Sequence, residues 1–412
     1  MAGTPVEVPT RRETLKGGGA VIGGGLLAGC AGESGPSGGG ANGSNSSGGE
    51  NTTTGGSSNS REVMMEPSGT WTFTEVPERY TVYQEEWADI MASLGQFDGL
   101  IGLTAPDRFP SDYYNRLPGV SVDTSGLTAL LPQGADSSDK EIFYDLDPDI
   151  NMIDPYTARE YLGFDDGDIE EIEDNIAPFF GSYLRDPNFT DNHPYYTLYE
   201  GIGKAAQVFR EQERYRALDE FHTAFLNDIK TRLPESDKQG TFATINHNWW
   251  GDGSEINAWP SHVPGTARKP IRDLGLKREN NVFREQFDGS GFVQVGPEGL
   301  FDADPDKIIY FDGIRMIAGF EYEGDQITFQ DDVVQQFEND PVLSKVTAVR
   351  NDSIVPGPTW EHGPVMNFFN TEIITKALYP EQFGEYVSFN EPPENEQLFD
   401  RQRLADIIKG DF

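Results

Sequence analysis

Cysteine is almost absent from this sequence, since the 412 residues include a single one, Cys30. The folded part of the chain can therefore form no intramolecular disulfide. The length is sufficient for two domains and a sizeable hydrophobic core.

Basic residues are also scarce. There are 31 lysines and arginines against 69 aspartates and glutamates, which gives a formal net charge of −38, and only 11 of the basic residues are lysines. The acidic residues are spread along the chain rather than gathered in a tail. No basic cluster is available to neutralise phosphates, so the composition argues against a nucleic-acid partner. A solvated acidic surface of this kind is typical of proteins from high-salt organisms, where like-charge repulsion is screened.

The first 30 residues contain no hydrophobic run long enough to cross a bilayer, which takes about 20 apolar residues. Paired arginines, Arg11 and Arg12, precede a short glycine-rich apolar run at 20–28, and this pattern predicts a Tat-type export signal over 1–30. The sequence "LAGC", ending at Cys30, resembles a lipobox, in which the cysteine is lipidated and becomes the mature N-terminus. The alternative is an incidental thiol. We predict a protein held by lipid on the exterior face of the cell membrane.

Residues 31–66 are rich in glycine and serine and cannot bury a core, so they predict a disordered tether. A coil of this composition has a root-mean-square span of roughly 30 Å. Asn42, Asn45 and Asn51 each begin an Asn-x-Ser/Thr site that glycosylation outside the cell could use.

Residues 67–194 alternate between strand and helix signals. A β-prone run at 80–83 is followed by a helical pattern at 87–94, then by an apolar strand at 100–103. The runs at 118–123 and 149–154 repeat the strand-plus-turn pattern. Strands that alternate with helices predict a parallel sheet flanked by helices.

Residues 195–234 contain no proline until the last position, and apolar residues recur at helical spacing. They predict one long helix, with a break near 201–203 as the open alternative. The α/β pattern resumes over 235–412, with strands expected at 240–246, 291–296, 307–313 and 348–358. The predicted fold is therefore two Rossmann-like α/β lobes joined by one long rigid helix.

Both lobes contain the same short unit. Glu141 and Glu298 each stand seven residues before a Pro-Asp pair, and an apolar run follows each pair. The unit predicts a short helix that begins at the glutamate, a break at the proline and a buried strand. Chance is the alternative, because Asp-Pro-Asp arises easily in an acid-rich chain, but the matched spacing favours a repeat.

From about residue 80 to 384 the chain resembles the substrate-binding lipoproteins of ABC importers for ferric siderophores, cobalamin and haem. The resemblance rests on these features: "EEWADIMASLG" after the first strand, the "E-x6-PD" unit in each lobe, the long helix, "DPVLSKVTAVRNDSIV" and "TEIITKALYPEQFG". The resemblance implies a ligand cleft between the lobes, a monomer, no resident cofactor, and an ABC permease with its ATPase as partners.

The resemblance also implies a role for the two glutamates, Glu141 and Glu298, as residues that pair with arginines of the permease. One exposed glutamate in each lobe would fix the orientation of docking. The alternative is that both are merely favourable residues for a first helical turn.

Loops after strand ends would build the cleft, with aromatic rings for contact area and arginines for carboxylate or hydroxamate oxygens. Core packing is the alternative for each ring, and for Trp87 the two interpretations are equally supported. The candidates are Glu86, Trp87, Arg108, Tyr156 and Arg159 in the first lobe, and His247, Trp249, Trp250, Trp259, Arg315, Trp360 and His362 in the second.

The expected ligand is a ferric siderophore-type chelate, with haem, cobalamin and a bare metal ion as alternatives. The five histidines show no metal-binding spacing such as H-x-x-x-H, so a bare ion ranks below a chelated one. An enzyme is not expected, because the body carries no G-x-S-x-G elbow, no phosphate loop and no cysteine nucleophile.

Overall fold

The computed structural model describes residues 60–186, 194–235, 238–247, 255–287, 291–317, 320–322, 325–360, 362–386 and 394–412. The export signal and Cys30 lie outside these residues. The predicted end of the tether at residue 66 is wrong, because a β-hairpin begins at Arg61. Val63 and Met65 of this hairpin point inward and are buried, so burial of alternate side chains holds it against the body.

The first lobe is built on a parallel sheet with strand order β5-β4-β3-β6. The predicted strand, helix and strand between residues 80 and 103 are confirmed, whereas 118–123 form a loop rather than a strand. The elements in chain order are β1 (Arg61–Met65), β2 (Gly69–Phe73), β3 (Tyr80–Val82), α1 (Glu85–Ser93), β4 (Leu100–Leu103), β5 (Thr128–Ala129), α2 (Glu141–Leu146), β6 (Ile150–Met152), α3 (Pro155–Glu160) and α4 (Asp166–Asn175).

Two helices follow, α5 (Leu198–Phe209) and α6 (Gln212–Arg232), where the sequence predicted a single helix over 195–234. The chain reverses at Arg210, which adopts a left-handed conformation with φ 62°. The two helices pack as an antiparallel hairpin, since the rings of Tyr199 and His222 stack with centroids 4.4 Å apart. The prediction of one unbroken helix is therefore wrong.

The physical reason for the break lies far away in sequence. The Arg61 guanidinium donates hydrogen bonds to the backbone carbonyl oxygens of Gln207, at 2.8 Å, and Val208, and so satisfies the last carbonyl groups of α5. The ring of Phe209 packs edge-on against Tyr80, 5.1 Å between centroids. No glycine or proline marks the site, so the local sequence carries no stop signal.

The helix that joins the lobes is α6 alone. Its 21 residues span about 31 Å at 1.5 Å per residue. Near its start, Arg214 donates to the carbonyl of Leu94 in the first lobe, and at its end Arg232 donates to the carbonyl of Gln382 in the second, at 3.0 Å. A single helix thus contacts both lobes.

The second lobe has a five-stranded sheet of order β13-β10-β7-β8-β9, in which β13, β10 and β7 run parallel, β8 runs antiparallel to β7, and β9 runs antiparallel to β8. The strand predicted at 348–358 is shorter, because its first residues form α11. The elements are β7 (Phe242–His247), β8 (Ile256–Ala258), α7 (Lys269–Asp273), β9 (Val293–Val295), α8 (Pro297–Ala303), β10 (Lys307–Tyr310), α9 (Gly313–Ile317), β11 (Phe320–Tyr322), β12 (Asp325–Ile327), α10 (Gln335–Asn339), α11 (Thr347–Arg350), β13 (Ile354–Pro356), α12 (Pro364–Leu378), α13 (Pro380–Phe383) and α14 (Arg401–Lys409).

The C-terminal segment does not stay with the second lobe, as the predicted boundary 235–412 implied. Helix α14 packs on α6 and on α1 of the first lobe. One apolar cluster runs through this contact and includes residues of both lobes, for example Leu404 of α14, Ile90 of α1 and Phe368 of α12. The lobes are therefore joined by a shared core as well as by α6.

The repeated unit follows the same course in both lobes. Helix α2 ends at Asp147 with φ 43°, and α8 ends at Asp304 with φ 40°. Next, the carboxylate of Asp149 accepts from the backbone N–H of Arg79 at 3.0 Å, and that of Asp306 accepts from Thr241 at 2.8 Å. Both partners stand just before the neighbouring strand, so each carboxylate fixes the start of a sheet strand. The predicted helix-break-strand unit is confirmed in each lobe.

Candidate functional site

Chain segments at the carboxyl ends of the first lobe's parallel strands carry the polar part of the site. Phe179 extends the sheet by a bridge to Asn151 of β6. A Cβ at Gly181 would lie 2.5 Å from the carbonyl carbon of Ile153, so only glycine allows this close approach. The chain then continues at the strand ends as residues 182–186.

Glu86 lies at the start of α1, directly after β3, and is fully buried. Its carboxylate oxygen Oε2 is 3.8 Å from Nη2 of Arg185, whose side chain is about one-fifth exposed. In the amide orientation that satisfies its neighbours, Gln84 donates to Glu86 at 2.5 Å and accepts from Arg185 at 3.1 Å. A buried carboxylate requires such partners, and Arg185 and Gln84 provide them for Glu86.

Three tyrosine rings stand beside Arg185. Tyr83 and Tyr161 stack with centroids 5.7 Å apart, and Tyr161 and Tyr183 stack at 6.3 Å with an interplanar angle of 11°. The carboxylate of Asp154 accepts from the backbone N–H of Tyr183 at 2.9 Å and so positions the third ring. Burial raises the pKa of Tyr83 and of Tyr183, so both phenols are protonated at neutral pH.

A buried ion pair connects this segment to the second lobe. Nη1 of Arg268 lies 2.7 Å from Oδ2 of Asp186, and the arginine side chain has no exposed surface. Beside it, the backbone N–H of Thr266 donates to the carbonyl of Leu184 at 3.0 Å. The guanidinium of Arg268 also lies over the ring of Trp259, 5.4 Å from its centroid. Arg268 therefore links the first lobe to the aromatic part of the site.

That aromatic part is a cluster of four rings in the second lobe. The centroids of Trp259 and Trp360 are 4.7 Å apart, those of Phe311 and Trp360 are 4.3 Å apart, and those of Trp259 and Phe292 are 4.9 Å apart. Phe311 is buried below the others, whereas Phe292 is exposed. The indole N–H of Trp259 donates to Asn246 at 2.8 Å, which fixes its ring. The two half-buried indoles offer a rigid surface to a ligand.

Two histidines that were predicted to bind the ligand, His247 and His362, form hydrogen bonds within the second lobe. Nδ1 of His247 lies 2.8 Å from the hydroxyl of Tyr310, and burial lowers the histidine pKa to about 4, so the ring is neutral. His362 is fully buried, and its Nδ1 lies 2.9 Å from the carbonyl oxygen of Thr359. Both side chains are buried in this structure.

Trp87 was predicted as a candidate for the cleft or the core, and the structure places it in the core. It is 2% exposed, and its indole N–H donates to the carbonyl of Ser182 at 2.9 Å. The ring therefore supports the segment that carries Arg185 rather than facing a ligand. Its position inside the first turn of α1 turns it toward the shared apolar cluster.

Four other predicted candidates lie on helical segments that follow strands of the two lobes. Arg108 is exposed on a short helical turn after β4, and Tyr156 is half-buried in α3. Arg159 pairs with Asp166 at 3.5 Å on the surface, and Nε of Arg315 lies 3.5 Å from Asp312. Trp249 and Trp250 lie outside the described residues.

Five residues of this site were not among the sequence-based candidates: Tyr83, Tyr161, Tyr183, Arg185 and Arg268. Tyr83 is the last residue of a predicted strand, so its position at a strand end was a usable signal. The segment 182–186 carries no strand or helix pattern, and Arg268 lies in a turn before α7. Only the fold brings these residues together.

Within the described ranges, no group of three or more histidine, cysteine, aspartate or glutamate side chains is arranged to hold a metal ion. In the same ranges, no helix combines the length and the apolar character that crossing a bilayer requires.

The permease-docking candidates occupy equivalent positions. Glu141 is the first residue of α2, and Glu298 is the second residue of α8. Both side chains are exposed.

Two α/β lobes, a connecting helix and a cluster of aromatic and charged side chains between the lobes define a class of binding protein. A family model described as periplasmic binding protein matches residues 81–359, about two-thirds of the chain, and the chain belongs to this family. No curated protein shows significant sequence similarity to it.

Solved structures share the fold. The petrobactin-binding protein YclQ from Bacillus subtilis matches with a TM-score of 0.53 and 14% identity, over 77% of this chain and 98% of that one. The periplasmic haem-binding protein HutB of Vibrio cholerae matches with a TM-score of 0.52 and 15% identity, over 74% and 100%. The iron-uptake protein PiuA from Streptococcus pneumoniae matches with a TM-score of 0.51 and 17% identity, over 77% and 99%.

Proposed function

We propose that this protein is the solute-binding component of an ABC importer, which captures a ferric siderophore-type chelate between its lobes and delivers it to a membrane permease. It acts in transport rather than as an enzyme. Family membership supports the binding role, and structures with the same fold include proteins named for petrobactin, haem and iron uptake.

The observation that carries the proposal is the junction at Arg268. This residue lies against Asp186 of the first lobe and Trp259 of the second, so the tyrosine–arginine segment and the indole cluster meet at one place between the lobes. Aromatic faces with a few fixed charged groups suit a large, partly planar chelate. Haem and cobalamin are the alternative ligands with the same requirement for aromatic surface.

A bare metal ion is a weaker alternative. The described residues offer no converging set of acidic or histidine ligands. An ion enclosed in a chelator needs no such set from the protein, because the chelator supplies the ligand atoms.

The remaining parts of the proposal concern location and partners. Arg11 and Arg12 would direct export by the Tat route, and Cys30 would carry the lipid that holds the monomer on the exterior face of the membrane. Glu141 and Glu298, exposed at equivalent positions of the two lobes, would pair with arginines of the permease.

Titration of the intrinsic tryptophan fluorescence tests the ligand. We expect saturable quenching by a ferric siderophore, and weaker or no quenching by haem, cobalamin and ferric ion alone. Trp360→Ala should weaken binding about tenfold, because it removes a large aromatic contact. Trp71→Phe is the matched control, since Trp71 lies in the β1–β2 hairpin, where its indole N–H donates to Ser68.

If none of these compounds quenches the fluorescence, and circular dichroism shows that the protein is folded, the proposal is overturned. Saturation by haem or cobalamin alone would replace the ferric chelate by that alternative. Equal effects of the Trp360 and Trp71 variants would mean that binding occurs elsewhere.

A further inference from the structure

The repeated unit is more extensive than its glutamate and its Pro-Asp pair. Residues 141–149 read E-I-F-Y-D-L-D-P-D, and residues 298–306 read E-G-L-F-D-A-D-P-D. Five of the nine positions are identical, and a sixth is aromatic in both. Two copies of one pattern, 157 residues apart, allow each position to be assigned a role by comparing the lobes.

Several positions have a structural explanation. Phe143 and Leu300 are fully buried beneath their helices. Asp147 and Asp304 end the helices in the left-handed conformation, and the prolines that follow are buried. Asp149 and Asp306 fix the start of a neighbouring strand, as described above. These positions are needed to make the unit fold.

Three repeated positions have no such role and face solvent. They are the glutamate, the aromatic residue three positions later and the aspartate four positions later, a spacing that places all three on one helical face. Every one of the six side chains is exposed. We call them the first triplet (Glu141, Tyr144, Asp145) and the second triplet (Glu298, Phe301, Asp302).

The aromatic member is the unexpected part. Tyr144 is 37% exposed and Phe301 is 40% exposed, and they account for two of the five large hydrophobic side chains that are exposed in the described residues. The hydroxyl of Tyr144 donates to Glu171 at 2.9 Å, which holds its ring in place. Phe301 has no hydroxyl, so the feature common to the two lobes is an exposed ring beside two carboxylates.

We propose that the two triplets are twin contact patches for the permease, and that the aromatic rings, not only the glutamates, bind it. This inference rests on the proposed function. The partner surface would present, twice, an apolar recess flanked by basic side chains. A repeat on one chain matches a partner that offers the same surface two times, as two identical subunits do.

The rings supply binding affinity that does not depend on charge, which the carboxylates alone cannot. Exposed ion pairs contribute little and weaken as salt screens them, with a Debye length of about 3 Å at 1 M salt. Burial of an aromatic ring does not depend on charge and is a common source of interface affinity. Contact through the rings would therefore persist at high ionic strength.

Site-specific photocrosslinking identifies the partner. The full-length protein, made in its own cells, would carry p-benzoylphenylalanine in place of Tyr144 or of Phe301. Met64 and Phe412 are the matched control positions, since both are exposed apolar residues outside the triplets. We expect both triplet positions, and neither control, to form adducts with the same polytopic membrane protein, identified by mass spectrometry.

Affinity measurements then test the rings. With that membrane protein in nanodiscs, the double variant Tyr144→Ser, Phe301→Ser should bind about tenfold more weakly at both 0.1 M and 2 M KCl. Tyr144→Phe should bind as the wild type does, because the second triplet uses phenylalanine. The variant Glu141→Gln, Glu298→Gln should lose affinity at 0.1 M KCl and differ little from wild type at 2 M.

Adducts with a second copy of this chain, adducts with unrelated proteins, no adducts, or unchanged affinity of the serine variant would each overturn the inference. Quenching of tryptophan fluorescence by a ferric chelate is read separately. If quenching persists while adducts are absent, the triplet inference fails and the proposed function stands. If adducts form while no chelate binds, the proposed ligand fails.

Discussion

Arg268→Met should destabilise the protein strongly, because it removes one partner of an ion pair that is buried between the lobes. The arginine side chain is fully buried and that of Asp186 is 5% exposed, with 2.7 Å between the paired atoms. Methionine fills a similar volume without the charge, so the variant leaves the carboxylate of Asp186 in a dry environment without its guanidinium.

The expected loss follows from this burial. Removal of one partner of a buried pair costs roughly 3–5 kcal/mol, because the other charge stays buried without the guanidinium that faced it. The lost contact between the guanidinium and the ring of Trp259 adds about 1 kcal/mol. We therefore expect the free energy of unfolding to fall by about 4–6 kcal/mol.

Urea denaturation followed by circular dichroism measures this change, with the denaturant slope checked for constancy. Arg159→Met is the matched control, because Arg159 pairs with Asp166 on the surface, where the aspartate side chain is 90% exposed. That variant should lose no more than about 1 kcal/mol. Asp186→Asn combined with Arg268→Met should recover part of the loss, since neither member of the pair is then charged.

The reasoning would be refuted if Arg268→Met cost no more than Arg159→Met. Such a result would mean that the carboxylate of Asp186 is solvated or paired elsewhere, and that the junction between the lobes is not closed at this point.

Three further predictions concern stability and pH. Burial lowers the pKa of His247 to about 4 from 6.5, so about 3 kcal/mol of stability present above pH 6.5 is lost as the pH falls to 4. His247→Gln should remove this part of the fall in the free energy of unfolding between pH 7 and pH 4. Burial raises the pKa of Asp89, which lies in α1, to about 7 from 3.8. The sign is opposite here, because about 4 kcal/mol of stability present below pH 4 is lost as the pH rises to 7. An Asp89→Asn variant whose free energy of unfolding has an unchanged slope against pH in this range would contradict the assignment. Asp149→Ala and Asp306→Ala should each lower the free energy of unfolding, measured by urea denaturation, by about 1–2 kcal/mol. The two losses should add, because the residues lie in different lobes. A double variant that loses no more than one single variant would contradict this.

Much of the site could not be predicted from the sequence. Glu86, Trp259 and Trp360 follow or neighbour strand ends and were found by that signal. Arg185 and Arg268 escaped it, because neither stands directly after a strand and their importance comes from contacts across the lobes. The histidines His247 and His362 have the right position in sequence but are turned inward.

Local chemistry determined the parts of this protein that the sequence alone could establish. Strand, helix and turn over residues 80–103, and the helix-break-strand units at 141–152 and 298–310, depend on residues close together in the chain. The alternation of these elements was sufficient for an α/β fold with two lobes.

The tertiary structure decided what depends on distant partners. Helix α5 ends at Arg210 because Arg61 satisfies its last carbonyl groups from about 150 residues away, and no nearby residue signals the stop. Helix α14 crosses back to the first lobe because its apolar face finds α1 and α6 there. The meeting of Asp186, Arg268 and Trp259 likewise exists only once both lobes are folded, since a buried charge is stabilised by its neighbours in space rather than by its neighbours in sequence.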